Sequence, residues 1–259
     1  MRAKHSKPNK LALRVLSAAA VMAMVTSIAA PAFADAYGIA VYGTYNVGYG
    51  NVMVNGNRVS YTDDKNVYHE NELDEEEIII TGNSNKNSVT LTDAAVTIKD
   101  LEIDGRDKGI AAIGTVGNVT IELDGTNILT SGNFRAGIEQ MTENENANHY
   151  PGKATLTIKD DNHDNGSVTA TGGYGAAGIG GGISVKGKVD YIQITGGTVI
   201  ANGGVGGAGI GASKNAGGTI NPETSVDGIT ISGENTKVIA TGSSGAAGIG
   251  GSAGGWYGD

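Results

Sequence analysis

One stretch of the chain alternates oxygen-bearing side chains in the manner of a calcium loop. Residues 160–166 read Asp-Asp-Asn-His-Asp-Asn-Gly, which places Asp160, Asn162 and Asp164 on alternate positions. Calcium takes about six to eight oxygen ligands, and such a loop supplies several of them. The glycine comes one place late for an EF-hand, and Thr171 stands where a bidentate glutamate belongs. The stretch predicts either a solvated acidic turn, which we favour, or a calcium site.

Aromatic side chains are the second candidates for chemistry, because an exposed ring stacks on the apolar face of a sugar. Aromatic residues make up only 5% of the chain, so each ring in the glycine-rich half stands out. The candidate ligand-binding residues are Tyr174, Tyr191, Trp256 and Tyr257. The alternative for each ring is a structural role, with Tyr191 packed on a sheet surface and Trp256 covering the end of the fold.

Two glycine-rich stretches, residues 173–178 and 204–209, match the G-x-G-x-x-G fingerprint of dinucleotide-binding proteins. That fingerprint requires a helix directly after it, and the Ile-Gly-Gly-Gly of residues 179–182 is a poor helix start. The pattern also recurs with the period of a longer repeat. We therefore interpret both stretches as backbone corners and expect no nucleotide cofactor.

Catalysis is not favoured by the residues present. A glycosidase needs two carboxyl groups about 5–10 Å apart, and a chain with 27 acidic residues contains such pairs by chance. A lyase needs a cationic base, but basic residues are few in the repeats, and no nucleophile is paired with a base. The three histidines beyond residue 34 lie in polar loops: His69, His149 and His163.

A repeated pattern of short strands and glycine-rich phrases contains the candidate residues of the glycine-rich half. The phrase Ala-Gly-Ile-Gly occurs at 177–180, 208–211 and 247–250, with a faint copy in the Ala-Gly-Ile of 136–138. Before each phrase comes a short alternating strand, whose last residues are Ile121, Ile158, Ile194 and Ile231. Between that strand and the phrase lies a second strand, of which Val-Ile-Ala at 199–201 is an example. Three short strands separated by glycine corners are typical of one coil of a solenoid.

The sequence therefore predicts an all-β, right-handed parallel β-helix. A coil cannot bury its apolar face alone, so successive coils must stack. Stacking is expected to place Ile179, Ile210 and Ile249 in one inward column. A second inward column is expected from Ile158, Ile194 and Ile231.

The amino terminus predicts export. Five basic residues and no acidic ones precede an apolar run at 15–29, and Pro-Ala-Phe-Ala at 31–34 ends in the small residues that signal peptidase recognises. Residues 1–34 are therefore a predicted signal peptide.

Its removal leaves 13 basic against 27 acidic residues, a net charge of −14. So acidic a protein repels nucleic acid, and no second apolar run is long enough to span a membrane. With no cysteine, packing and backbone hydrogen bonds must hold the exported fold.

Two regions follow the predicted signal. Residues 35–84 are rich in tyrosine and end in an acidic run, and we expect a small amino-terminal β hairpin over 36–62 that turns at Asn55-Gly56 and caps the solenoid. Residues 85–259 carry the glycine-rich repeats. The last repeat phrase ends nine residues before Asp259, which is compatible with a fragment of a longer protein.

The repeats resemble a known family. Phrases such as Ile-Glu-Leu-Asp-Gly-Thr-Asn at 121–127 and Ala-Gly-Ile-Gly-Gly-Gly at 177–182 are similar to those of secreted gut bacterial proteins grouped with the clostridial carbohydrate-binding β-helix family. The resemblance covers about residues 78–251. It implies a pectate-lyase-like fold, non-catalytic polysaccharide binding, bound calcium, and a secreted or cell-surface location. A structural adhesin or stalk with a protein ligand is the main alternative, and a β-helix polysaccharide lyase or hydrolase is the third.

Overall fold

The computed structural model describes residues 43–72, 77–141, 154–162, 165–183, 189–214 and 226–253. Within these ranges the regular secondary structure consists of twenty β-strands and no α-helix, so the described protein is all-β, as predicted. The predicted signal peptide lies outside the described residues. No helix in the described ranges is long and apolar enough to cross a membrane.

The strands fall into an amino-terminal group and a repeat group. The amino-terminal strands are β1 (Thr44–Asn46), β2 (Val52–Asn55), β3 (Arg58–Thr62), β4 (Tyr68–Glu72), β5 (Ile79–Ser84), β6 (Val89–Thr92) and β7 (Ala95–Asp104). The repeat strands are β8 (Ile113–Val116), β9 (Val119–Asp124), β10 (Thr126–Thr130), β11 (Ile138–Gln140), β12 (Thr155–Lys159), β13 (Ser167–Thr171), β14 (Ile179–Gly180), β15 (Val189–Ile194), β16 (Thr198–Val205), β17 (Ile210–Gly211), β18 (Val226–Ile231), β19 (Lys237–Ser243) and β20 (Ile249–Gly250).

These strands form two sheets. Eleven strands make a curled sheet in the order β18-β15-β12-β9-β7-β10-β13-β16-β19, with β5 beside β7 and β1 beside β5. The other nine follow the order β20-β17-β14-β11-β8-β6-β2-β3-β4. Pairing among the described strands is parallel except within β2-β3-β4, so the topology is mixed.

The long strand β7 joins the two arms of the curled sheet. Its first half pairs with β9 and its second half pairs with β10. The strand bends at Asp100, which has a φ of 46° and whose carboxylate accepts the Thr126 N–H at 3.0 Å. Beside the bend, the buried Asn127 accepts the Leu101 N–H at 3.0 Å and donates to the carbonyls of Asp124 and Ser167. Because these polar groups are paired, the bend places no unsatisfied backbone group inside.

Three parallel stacks therefore run through the repeats. We name them the first stack (β9, β12, β15, β18), the second stack (β10, β13, β16, β19) and the third stack (β8, β11, β14, β17, β20). The predicted columns are confirmed, since Ile179 pairs with Ile210 and Ile210 with Ile249 in the third stack. Ile158, Ile194 and Ile231 are likewise in register in the first stack.

The amino-terminal hairpin is confirmed in part. Strands β2 and β3 are antiparallel, with Asn55 opposite Arg58 and Gly56 in the turn at a φ of 58°. The hairpin covers 52–62 of the predicted 36–62, and residues 36–42 lie outside the described residues. A third antiparallel strand, β4, extends it and includes the first residues of the acidic run, Glu70 and Glu72. Through β2 and β6 the hairpin continues the sheet of the third stack.

The last strand of each stack is packed on one side only by the described residues. Ile194 and Ile210 are fully buried, whereas their partners Ile231 and Ile249 are 42% and 46% exposed. Burial of an isoleucine therefore depends on a strand on each side of it in the stack.

We predict that Ile210→Asp lowers the free energy of unfolding by several kcal/mol, about 3–5, because it places an unpaired carboxylate in a dry column. Urea denaturation measures the effect. The matched control is Ile239→Asp, at an outward position 45% exposed, which should change stability by less than about 1 kcal/mol. Equal losses in the two variants would contradict the inward position of Ile210.

Candidate binding surface

The corners between the second and third stacks carry Tyr174, the more exposed of the two predicted rings that the structure describes. Four such corners, residues 131–137, 172–178, 203–209 and 242–248, are aligned by the register of the strands on both sides. Strands β16 and β19 extend into the last two corners, where the register shifts and Val205 pairs with Ser243. Tyr174 lies at the tip of the second corner with 46% of its surface exposed. Its neighbour in the first corner is Phe134, which is 50% exposed.

These two rings form the centre of an exposed apolar cluster. The Phe134 and Tyr174 ring centroids are 6.0 Å apart, with the rings nearly perpendicular at 87°. The Lys214 ammonium lies 5.8 Å from the centroid of Tyr174, within range of a cation–π contact. Val205 of the next corner is 47% exposed. We call Phe134, Tyr174, Val205 and Lys214 the aromatic corner.

Phe134 adopts a backbone conformation that disfavours its side chain. Its φ is 70°, and the aligned residues of the other corners are Gly175, Gly206 and Gly245, with φ values of 78°, 85° and 87°. A left-handed conformation costs a residue with a Cβ about 1–2 kcal/mol, which glycine avoids. Backbone strain at an exposed bulky residue points to a role other than packing, because an exposed ring contributes little to the core.

Phe134 was not predicted from the sequence, although the signal was present. The Ala-Gly-Ile of 136–138 is a faint copy of the repeat phrase, and aligning on Ile138 places Phe134 at the glycine position. Apart from Phe33 in the predicted signal peptide, Phe134 is the one phenylalanine of the chain.

The other predicted aromatic residues do not join this cluster. Tyr191 points outward from strand β15 in the first stack, and its ring lies over Gly228 of strand β18. An added Cβ at Gly228 would lie 3.0 Å from the ring, so Tyr191 packs on the sheet surface, as the structural alternative predicted. Trp256 and Tyr257 lie outside the described residues.

The predicted calcium ligands are placed only in part. Asp160 is buried, and its Oδ1 has no hydrogen-bond partner among the described residues, while Asn162 is exposed. Asp164 lies outside the described residues. Within the described part of the chain, no three acidic or histidine side chains are grouped as a metal site. The unpartnered oxygen of Asp160 is nevertheless the kind of group that a cation or a water satisfies.

The outward acids near Asp160 are held by a lysine. Lys159 Nζ lies 2.6 Å from Asp161 Oδ2 and 3.1 Å from Glu122 Oε2. The hydrogen bond to Asp161, and after it the contacts with Glu122, raise the pKa of Lys159 above its ordinary value. Glu122 also accepts the N–H of Asp161 at 2.7 Å. These side chains stabilise the turn between β12 and β13. Both carboxylate oxygens of Glu122 are engaged in these contacts, so we do not consider Glu122 a candidate metal ligand.

A buried carboxylate lies directly behind the aromatic corner. Glu139 occupies the column whose other members are Gly114, Gly180, Gly211 and Gly250, and it is 2% exposed. Its Oε2 accepts the Ala136 N–H at 2.8 Å, and its Oε1 lies 3.2 Å from Arg135 Nη2. Burial raises the pKa of Glu139 to about 7, against the opposing effects of Arg135 and the Ala136 amide. Sequence reasoning missed this residue too.

In comparisons with known proteins, no family model, curated protein or solved structure matches the chain.

Replacing Phe134 with glycine is predicted to change the free energy of unfolding by less than about 1 kcal/mol. Relief of the left-handed strain offsets the lost ring contact and the added freedom of the unfolded chain. Phe134→Val, which introduces a β-branched side chain at the same φ, should instead destabilise by about 1–2 kcal/mol more than the glycine variant. Urea denaturation of both variants tests the left-handed conformation of residue 134. A glycine variant less stable than the valine variant would show that this conformation is wrong.

Glu139 makes stability depend on pH in a defined direction. Its folded pKa of about 7 lies above the ordinary 4.5, so the folded protein binds this proton more tightly than the unfolded chain does. The resulting stabilisation, at most about 3 kcal/mol, is complete below pH 4.5 and is lost as the pH rises through 7. The wild type should therefore lose more stability between pH 5 and pH 8 than Glu139→Gln. Identical pH profiles in thermal melting would contradict this burial of the carboxylate.

Proposed function

We propose that this chain is an exported, right-handed parallel β-helix that binds polysaccharide without cleaving it. Three parallel stacks joined by corners of repeated sequence support the β-helix, and the strong preference for right-handed parallel crossovers supports its hand. The basic, apolar and small-residue segments of the amino terminus support export. The observation that carries the binding function is the exposed ring of Phe134 at a glycine position, beside the exposed ring of Tyr174.

The aromatic corner has the chemistry of a sugar subsite. Two half-exposed rings at a right angle offer one face and one edge to a pyranose, whose C–H groups pack on aromatic surfaces. The column Thr130, Thr171, Asn202 and Thr241, which immediately precedes the corner tips, supplies hydroxyl and amide groups for sugar hydroxyls. Apolar rings beside a polar column fit a polyhydroxylated ligand better than a wholly apolar one.

Charge favours a neutral ligand at this surface. With the predicted signal removed, the chain carries a net charge of −14. An acidic polymer is repelled within about one Debye length, about 8–10 Å at ordinary salt. A calcium ion shared between the protein and the polymer would overcome that repulsion, and the predicted ligands Asp160, Asn162 and Asp164 remain our candidates for holding it. Because the unpartnered Oδ1 of Asp160 is buried, it supports a cation held by the protein at this turn, which the polymer would reach from the side of the exposed Asn162.

The test is a pull-down of the mature chain, residues 35–259, on cellulosic particles. The double variant Phe134→Gly, Tyr174→Ser should lose about 5- to 150-fold in affinity, because each stacked ring contributes about 0.5–1.5 kcal/mol. Both replacements are residues found at the aligned positions of other corners, Gly175 and Ser244, so the fold should tolerate them. The matched control is Tyr68→Ser on strand β4, which removes a ring that is 64% exposed elsewhere. Equal binding of the double variant and the wild type would contradict the site.

Pectic particles in the same experiment test the role of calcium. Binding to the acidic polymer should require millimolar calcium and disappear with chelator, whereas binding to the neutral polymer should be insensitive to chelator. Chelator-resistant binding to the acidic polymer would contradict calcium bridging. Binding to neither polymer would favour a structural adhesin with a protein ligand, and release of reducing or unsaturated sugar ends would reveal a lyase or hydrolase.

A further inference from the structure

The corners differ in the acceptor that binds the N–H of the alanine near the end of each corner. In the later coils the N–H of Ala177, Ala208 and Ala247 donates to the carbonyl four residues ahead, at 2.9, 3.2 and 3.0 Å. That return of the chain depends on a glycine in between, because Gly180, Gly211 and Gly250 have φ values of 124°, 131° and 119°. We call this hydrogen bond the backbone lock.

The first corner has no backbone lock. Glu139 stands where the glycine would be, and the chain stays extended through Gln140, which pairs with Thr115. The Ala136 N–H, which corresponds to those of Ala177, Ala208 and Ala247, donates to the Glu139 carboxylate instead. One side chain thus replaces a backbone carbonyl, and it does so in the corner that carries Phe134.

We infer that Glu139 is a positioning residue for the aromatic corner and that the placement of the Phe134 ring responds to the protonation state of this one carboxylate. When it is ionised, Glu139 holds the Ala136 N–H and the Arg135 guanidinium together. On protonation the charge that attracts Arg135 is removed. Arg135 follows Phe134 in the chain, and its Nε is buried without a hydrogen-bond partner among the described residues. Without the charge of Glu139 the guanidinium loses its ion pair, and its movement would shift the neighbouring ring.

The charged groups around Glu139 are few. On its own corner it faces Arg135, whose Nη2 also lies 3.9 Å from the sulfur of Met141. On one side strand β8 contributes Gly114 and Thr115, and on the other side Gly182 lies directly against the carboxylate. Among the described residues in contact with the carboxylate, Arg135 is therefore the charged partner, and the raised pKa of Glu139, about 7, lies within the physiological range.

A single fluorine label tests this inference without any ligand. Phe134 is the one phenylalanine of residues 35–259, so incorporation of 4-fluorophenylalanine gives a single ¹⁹F resonance that reports on this ring. We expect the resonance to move between pH 5.5 and pH 8.5 with one midpoint near 7. In Glu139→Gln it should not move. In Glu139→Gly, which restores the residue type of the other corners, it should be sharp and independent of pH.

Two results would overturn the inference. The first is a wild-type resonance that does not move over this range. The second is a midpoint that persists in Glu139→Gln or Glu139→Gly, since another group would then be responsible. Because two variants with different side chains are compared, a folding defect in one of them does not remove the test.

The consequence for binding rests on the proposed function. Wild-type protein should bind cellulosic particles severalfold more weakly at pH 5.5 than at pH 8, whereas Glu139→Gln should bind equally at both. Equal wild-type binding at both values, with a moving resonance, would overturn the link between Glu139 and binding. Failure to bind at any pH would count against the proposed function, while the ¹⁹F titration would still decide the role of Glu139.

Discussion

The structure depends on the register between successive parallel strands. Leu129 pairs with Ala170 in the second stack and Ile138 pairs with Ile179 in the third, and both offsets are 41 residues. The next two offsets also agree between the stacks, at 31 and 39 residues. The corner between these stacks therefore has a constant length from one repeat to the next. Variation in coil length falls outside it, on the connections to the first stack.

Constant length makes the corners comparable residue by residue. The φ values of the aligned residues Phe134, Gly175, Gly206 and Gly245 are alike, at 70°, 78°, 85° and 87°, although the register shifts by one residue where Val205 pairs with Ser243. The two tip positions read Asn133-Phe134, Tyr174-Gly175, Val205-Gly206 and Ser244-Gly245. Such a corner is a scaffold on which exposed side chains change, and in the first corner even the acceptor of the Ala136 N–H changes from a backbone carbonyl to a side chain.

The regular part of the fold was predictable because periodicity is a local signal. The Ile-rich strands and the phrase Ala-Gly-Ile-Gly alone predicted the columns through Ile158 and Ile210, and the pairings agree. The site was less predictable, because exposure and contact depend on the neighbouring coil. Tyr174 is exposed, as its candidate role requires, but Tyr191 packs on Gly228, a contact that depends on a residue 37 positions later. The burial of Asp160 could not be predicted either, because this residue follows the end of a strand, where the alternation of inward and outward residues stops.

Departures from the repeat proved more informative than the repeat itself. A glycine at a left-handed position is the residue of lowest backbone energy, so a different residue there needs a compensating interaction or a function. The first corner departs from glycine twice, at Phe134 and at Glu139, and the two departures are physically connected. Without glycine at 139 the chain cannot turn back to bond Ala136, and the carboxylate of the same residue supplies the missing acceptor. The corner that presents Phe134 is thus also the corner that a titratable side chain, Glu139, closes. We interpret the two departures from glycine as parts of one arrangement, in which Glu139 positions the segment that carries the ring.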